Sequence, residues 1–308
     1  MRIEEFHALA RAGRPGWSGE AAAKARSFLG PSGPKPVLVW LEFNACSGDT
    51  ISMLNATQPG LGQVLSELVA AAYWNGLMPA EGEAALAALM SAVERGGYFL
   101  AVEGAVPLRQ GGLYAVPFIA GGRPAPAIEV FKAAEAGAAQ IIAVGTCAAF
   151  GGPSAARPNP SDSRGVWEIT NRPVINVSGC PINPDWVVGT LVHLILFGPP
   201  ELDRYRRPVF LYGNTIHAHC QRRSYYDLGR FAGELGGAEC MFSQGCMGPI
   251  TGADCPYRLW NDHLNWPVKA GTPCIGCTKS GFPDKSSPFY TPLPQKLRAG
   301  LKGEGSDA

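Results

Sequence analysis

The 308-residue chain predicts an α/β protein, an open parallel sheet covered by helices and followed by a largely irregular, helix-poor C-terminal part. Three observations carry this expectation. Short apolar runs alternate with segments of helical period through the first two thirds of the chain. Cys46, Glu103, Cys147 and Cys180 each stand a few residues beyond a different apolar run. Finally, six of the nine cysteines and three of the five histidines fall between His217 and Cys277, where the regular period fades. The expected division is an N-terminal extension over 1–34, a sheet domain over 35–200 and a cysteine-rich domain over 201–308.

Taken in order, Ile3, Phe6, Leu9 and Ala10 have helical spacing and precede a Gly- and Pro-rich linker. Val37–Leu41, bounded by Pro36, reads as a buried parallel strand. Helices are expected at Gly62–Ala72 and Glu83–Glu94, the latter with Leu86, Leu89, Met90 and Val93 on one face. A strand follows at Tyr98–Val102, then a helix at Ala127–Ala136 and a strand at Gln140–Val144. Val174–Val177 is the fourth strand, and a helix over Asp185–Phe197 closes the unit. Beyond Pro208, helices are expected at Arg222–Leu235 and Tyr257–Leu264, and the polar tail Arg298–Ala308 reads as disordered.

Right-handed crossovers would place all strands parallel, with the ligand crevice outside their carboxyl ends. Cys46, Cys147 and Cys180 would then converge at one edge beside Glu103. That is the strongest inference from pattern alone.

Composition narrows the partners. A net charge of +1 supplies no basic stripe, so no nucleic-acid partner is expected. Nine cysteines are an odd count, which disfavours a disulfide framework. Met1–Gly30 lacks an apolar signal region and a twin-arginine pattern, and Val187–Gly198 is too short to span a bilayer. The expectation is a cytoplasmic chain that touches a membrane only through a partner.

Two metal chemistries can use these residues. Structural zinc favours two short-spaced ligand pairs. Cys274/Cys277 and His217/Cys220 could serve, but Cys46, Cys147 and Cys180 would be left over. Iron–sulfur ligation can use every thiolate, although spacing alone does not group them.

Grouping comes from resemblance. Trp40-Leu41-Glu42 leading to Cys46, Val102-Glu103-Gly104-Ala105-Val106-Pro107, Gly145-Thr146-Cys147-Ala148-Ala149-Phe150-Gly151-Gly152 and Gly179-Cys180-Pro181 form the first half of a series. Ile216-His217-x-x-Cys220, Gly245-Cys246-Met247-Gly248-Pro249, Cys255-Pro256 and the run from Asn265-Trp266-Pro267 to Cys274-Ile275-Gly276-Cys277 complete it. In this order, over residues 36–292, the chain resembles the small, electron-transferring subunit of [NiFe]-hydrogenases.

The resemblance implies a flavodoxin-like first domain and three clusters. A proximal four-iron cluster would use Cys46, Cys147 and Cys180. A medial cluster would use Cys255, Cys274 and Cys277, and it would be three-iron because Pro267 stands where some relatives have a fourth cysteine. A distal four-iron cluster would use His217, Cys220, Cys240 and Cys246. His7, His193, His219 and His263 are read as surface or core residues.

One position departs from the family pattern. Its first motif usually reads Cys-x-x-Cys, whereas this chain has Cys46-Ser47-Gly48-Asp49. Two roles are open to Asp49: an oxygen ligand completing the proximal cluster, or a cap for the helix at Thr50 beside a three-iron cluster. Ligation by carboxylate keeps the formal charge but hardens the ligand. A similar exchange resembles the actinobacterial-type, oxygen-insensitive uptake hydrogenases. Glu103 is expected to support the proximal ligands from behind.

The function so implied is relay of electrons from hydrogen oxidation at a nickel–iron site in a large subunit to an acceptor protein or quinone. The enzyme would be an oligomer of heterodimers. A cluster-bearing subunit of a quinone-reducing respiratory complex is the alternative, since its core resembles the N-terminal half alone. A zinc-stabilised interaction module is the third reading.

Overall fold

The computed structural model describes residues 35–57 and 59–294. The helix expected near Ile3–Ala10 and the tail from Arg298 lie outside the described residues. Five parallel strands form the central sheet: β1 (Val37–Glu42), β2 (Ala70–Trp74), β3 (Tyr98–Glu103), β4 (Ala138–Val144) and β5 (Val174–Val177). Their spatial order is β2-β1-β3-β4-β5, the flavodoxin-like arrangement. The strands read as continuous apolar runs because helices or loops cover both sheet faces.

Alternation along β1 separates two cores. Val39 and Leu41 face α2 (Gly82–Arg95) and α3 (Ala127–Gly137), packing with Leu89, Phe131 and Ala134. Leu38 and Trp40 face the other way, into a core shared with α5 (Pro184–Phe197) and with Phe210, Ile216, Trp266 and Val268. The C-terminal part therefore packs directly on the sheet domain and shares its core. α5 is buried continuously from Asp185 to Leu194, which explains its uniformly apolar sequence. Among the described residues, no helix is long and apolar enough to cross a membrane.

Three expected helices are corrected. Gly62–Ala72 is not one helix: irregular turns occupy Leu61–Gln63 and Val64–Leu68, and the chain then straightens into β2, pairing with β1. Arg222–Leu235 is helical only over Arg223–Asp227, because Phe231 is drawn into a bridge with Cys240. In place of a helix over Tyr257–Leu264 there is one turn, Cys255–Arg258. It stops at Leu259, whose φ of 62° is left-handed, and Asn261, Asp262 and His263 share that conformation.

Candidate metal centres

The crevice is built from strand ends. Beyond β1, Phe43 donates its N–H to the Glu103 carbonyl, and Asn44 bridges to Ala105. Ser47 takes a left-handed turn (φ 58°) and starts the short helix α1 (Gly48–Met53), with Cys46 exposed at its mouth. β4 passes without a loop into α4 (Gly145–Phe150), which carries Cys147. The Thr146 N–H donates to the Gly179 carbonyl at 2.7 Å, tying this turn to the end of β5 and bringing Cys180 alongside.

Asp49 lies within this group. Its Oδ1 accepts the Ile182 N–H at 2.8 Å. A Cβ on Gly145 would stand 1.8 Å from its Oδ2, and Gly145 has a φ of +84°, so glycine is required there twice over. The capping alternative for Asp49 is not what the geometry shows: α1 has no side-chain cap bond at its start. Glu103 supplies that function from β3. Its Oε1 accepts the Asp49 N–H at 3.0 Å, and its Oε2 accepts the Thr50 N–H at 3.1 Å and the Thr50 hydroxyl at 2.6 Å. Trp40 also donates its indole N–H to Glu103, and its ring stacks on Trp74 at 4.0 Å. Thus the carboxylate behind the crevice fixes the helix that carries Asp49.

Burial pushes the Asp49 carboxyl up to about 8, reinforced by the negative charge of Glu103 and opposed by the Ile182 N–H. Burial also raises the Cys180 thiol to about 12, with Cys147, Cys277, Asp49 and Cys46 adding to the shift. The Cys147 thiol, which the Ser154 hydroxyl approaches at 3.7 Å, rises for the same first reason. Acids this costly to ionise suit a cationic partner, because metal binding draws their protons off.

Cys255 begins the single turn after Asp254, and Cys274 and Cys277 flank Ile275-Gly276. Burial pushes the thiols of Cys255 and Cys274 well up. The strap from Cys274 is tied to the strand ends: Thr146 donates to the Cys277 carbonyl at 2.5 Å and Ser178 to the Thr278 carbonyl at 2.8 Å. Cys277 lies close enough to Cys180 to raise the latter's thiol further. Cys277 therefore meets the crevice group directly.

Further out, Thr215 caps the turn Ile216–His219. His217, Cys220, Cys240 and Cys246 line one pocket together with Arg222, Phe242 and Val268. N–H···S bonds of 3.4 Å reach Cys220 from Arg222, and reach Cys246 from both Gly248 and Cys274. Cys246 thus connects this group with Cys274. The His217 ring meets Tyr226 edge-on at 4.5 Å, while His219 lies against Tyr257 instead. Pro267 is exposed, and its carbonyl accepts both the N–H and the hydroxyl of Thr272 at 3.0 Å.

All nine cysteines are free. Among the described residues, no three His, Cys, Asp or Glu side chains converge on a point suited to one metal ion. The donors instead form three linked groups that suit iron–sulfur clusters, whose thiolate ligands bind different iron atoms. Sequence reading missed the contributions of Thr146, Ser154, Ile182 and Arg222. All four act through backbone groups or single hydroxyls.

Fold and site together define an iron–sulfur electron-transfer protein built on a flavodoxin-like sheet. Residues 212–290 match the family model described as the C-terminal part of the NiFe/NiFeSe hydrogenase small subunit. Residues 46–194 match that of the NADH ubiquinone oxidoreductase 20 Kd subunit. The periplasmic [NiFe] hydrogenase small subunit of Solidesulfovibrio fructosivorans is 40% identical, over 83% of this chain and 82% of its own. The quinone-reactive Ni/Fe-hydrogenase small chain of Wolinella succinogenes is 38% identical, over 88% and 78%. The actinobacterial-type NiFe-hydrogenase from Ralstonia eutropha H16 superposes with a TM-score of 0.81 at 27% identity, covering 91% of this chain and 88% of that one.

The chain belongs to the small subunits of [NiFe]-hydrogenases. Its part in that heteromeric enzyme is electron transfer, beside a large subunit that holds the nickel–iron centre. The respiratory-complex likeness is confined to the first half, as the alternative reading requires, and the second half separates the two families.

Proposed function

We propose that this chain forms a three-station path between the large subunit's nickel–iron site and an acceptor beside His217. Cys46, Cys147, Cys180 and Asp49 would hold a proximal four-iron cluster. Cys255, Cys274 and Cys277 would hold a medial three-iron cluster, and His217, Cys220, Cys240 and Cys246 a distal four-iron cluster. When bound, such clusters supply one-electron redox chemistry. The protein's work is to ligate, space and shield them. The observation that carries this reading is the series of thiol groups linked end to end, in which Thr146 ties the Cys277 strap to the turn before Cys180 and the Cys274 N–H reaches the Cys246 sulfur.

Asp49 supports assignment to the actinobacterial-type branch more than overall identity does. Its free Oδ2 edge faces Gly145 among the crevice thiols, while Oδ1 is held by Ile182. The exposed Cys46, Ile51 and Leu54 at this mouth suit coverage by the large subunit. On this reading the acceptor is a protein or quinone, the complex is an oligomer of heterodimers, and its location is the cytoplasm. Cell fractionation and size measurement check the last two.

Redox titration followed by electron paramagnetic resonance tests the ligand sets in the purified complex. Asp49→Cys should shift the proximal potential and leave the distal signal in place. An unchanged potential, together with no iron–oxygen bond in a crystal structure of the parent, would sink the Asp49 assignment. Iron and acid-labile sulfide, with hydrogen-dependent dye reduction by the co-purified large subunit, test the wider reading.

A further inference from the structure

A cleft of about 550 Å3 opens between the segment Asp203–Thr215 and the strap beyond Cys277. Its size falls within the range of small-molecule sites. Arg204, Tyr205, Arg207, Lys279, Ser280 and Lys285 form its polar lining. One wall is rigid. Arg207 is 7% exposed, grips Asp203 at 2.8 and 3.0 Å and donates to the Thr278 carbonyl at 3.0 Å. Its guanidinium also lies 5.2 Å from the Tyr205 ring centre and 4.9 Å from that of Tyr212.

The rest of the lining is rich in positive charge, with Lys279 also within reach of the Cys274 thiol. Lys279 and Lys285 are close enough to repel, and Arg204 lies over the Tyr205 ring at 4.8 Å. Of the neighbouring carboxylates, Asp203 is committed to Arg207 and Asp284 to Arg157. Among the described residues, no carboxylate pairs with Arg204, Lys279 or Lys285. Beside these cations stand the hydroxyls of Tyr205 and Ser280. Two ammonium groups, a guanidinium and two hydroxyls offer more donors than a carboxylate's two oxygens can use. They suit an oxyanion with three terminal oxygens, for which an arginine fork and lysine point charges are the usual recognition chemistry.

We propose that this cleft binds a phosphate group carried on an organic molecule, with the organic part extending along Asn214, Thr215 and Ile250. The site borders the medial thiols through Lys279 but uses none of the proposed ligands. Its phosphate could belong to a soluble monoester or to a lipid headgroup.

Calorimetric titration of the purified hydrogenase complex with inorganic phosphate and glycerol 3-phosphate addresses the soluble source. Co-sedimentation with phosphatidylcholine vesicles, with and without phosphatidic acid, addresses the headgroup. One-to-one binding of glycerol 3-phosphate, weakened about tenfold or more by Lys279→Gln/Lys285→Gln, is expected for the soluble ligand. Binding only to phosphatidic acid vesicles, weakened equally by that variant, would assign the phosphate to a headgroup. Arg204→Gln, on the wall opposite the strap that carries Cys277, should weaken the same binding and guards against a folding defect in the lysine variant. No binding by any probe, or binding unchanged in both variants, overturns the proposal.

Discussion

Asp49 and Gly145 depend on each other at the residue scale. The carboxylate occupies the space where any other residue at 145 would place its Cβ, and the backbone there is already left-handed. Gly145→Ala should therefore push Asp49 away from Cys147 and Cys180 while leaving Glu103's hold on α1 intact. The expected result is a proximal signal altered as in an Asp49 variant, with medial and distal signals unchanged. An unaltered proximal signal would show that Asp49 does not act through this contact. The sequence made Asp49 legible as a candidate by its offset from Cys46. It could not show that Glu103, 54 residues away, would cap α1, because a bond between distant segments leaves no local pattern.

At the scale of elements, buried charge anchors the turn that carries Cys255. Arg258 is fully buried between Asp254 at 2.5 Å and Asp185 of α5 at 3.5 Å, and Asp254 also takes the Trp186 indole N–H at 2.6 Å. Removing the guanidinium leaves Asp254 buried without its cation and Asp185 with only the His263 ring, at 3.6 Å. Breaking a buried pair in this way costs about 3–5 kcal/mol. Arg258→Met should lower the urea midpoint accordingly, and restoring charge with Lys should recover only part, since Lys lacks the fork.

α5 itself has an acid-sensitive point. Burial lowers the His193 pKa below its ordinary value, against the raising effect of its bond to the Gly198 carbonyl, and the ring stacks on Phe210 at 5.4 Å. The unfolded chain thus takes a proton at about pH 6.5, before the folded one does. His193's contribution is complete above that pH and falls as acid is added, because the unfolded state then binds more protons. The loss of stability between about pH 7.5 and about pH 5.5 should be smaller in His193→Phe than in the parent. Equal losses in the two proteins would remove His193 as the cause.

Regular elements were legible where period and burial agreed, as in β1, α2, β4 and α5. The misread segments share a different origin. Val64, Leu65, Leu68 and Val69 keep helical spacing and run into three alanines, so local propensity favours helix. Pairing with β1 straightens Ala70–Trp74 regardless. In Tyr225, Leu228 and Phe231 a helical spacing again misleads, because Phe231 and Tyr226 turn toward Phe242 around the pocket of Cys240 and Cys246. Aromatic packing there overrides propensity.

The whole molecule unites two parts with different sources of order. The sheet has an apolar core on each face, and the α2–α3 core needs nothing from the C-terminal part. The other core is shared: Trp266, Val268, Cys255 and Cys274 pack with Trp186 and Leu191 of α5. Beyond Tyr212 the described helices are single turns or little more, and six thiols stand where a self-sufficient domain would have apolar side chains. Removing metal from such a segment removes folding free energy. Iron chelation under denaturant-free conditions should therefore strip amide protection from residues 217–290 first. α5 should follow in part, as its outer face loses Trp266 and Val268, while β1, β3 and β4 stay protected by α2 and α3. Hydrogen exchange read by mass spectrometry distinguishes this order. Simultaneous loss across the sheet would mean that the two cores are one cooperative unit, and retention of protection at 217–290 would mean that packing alone sustains that segment.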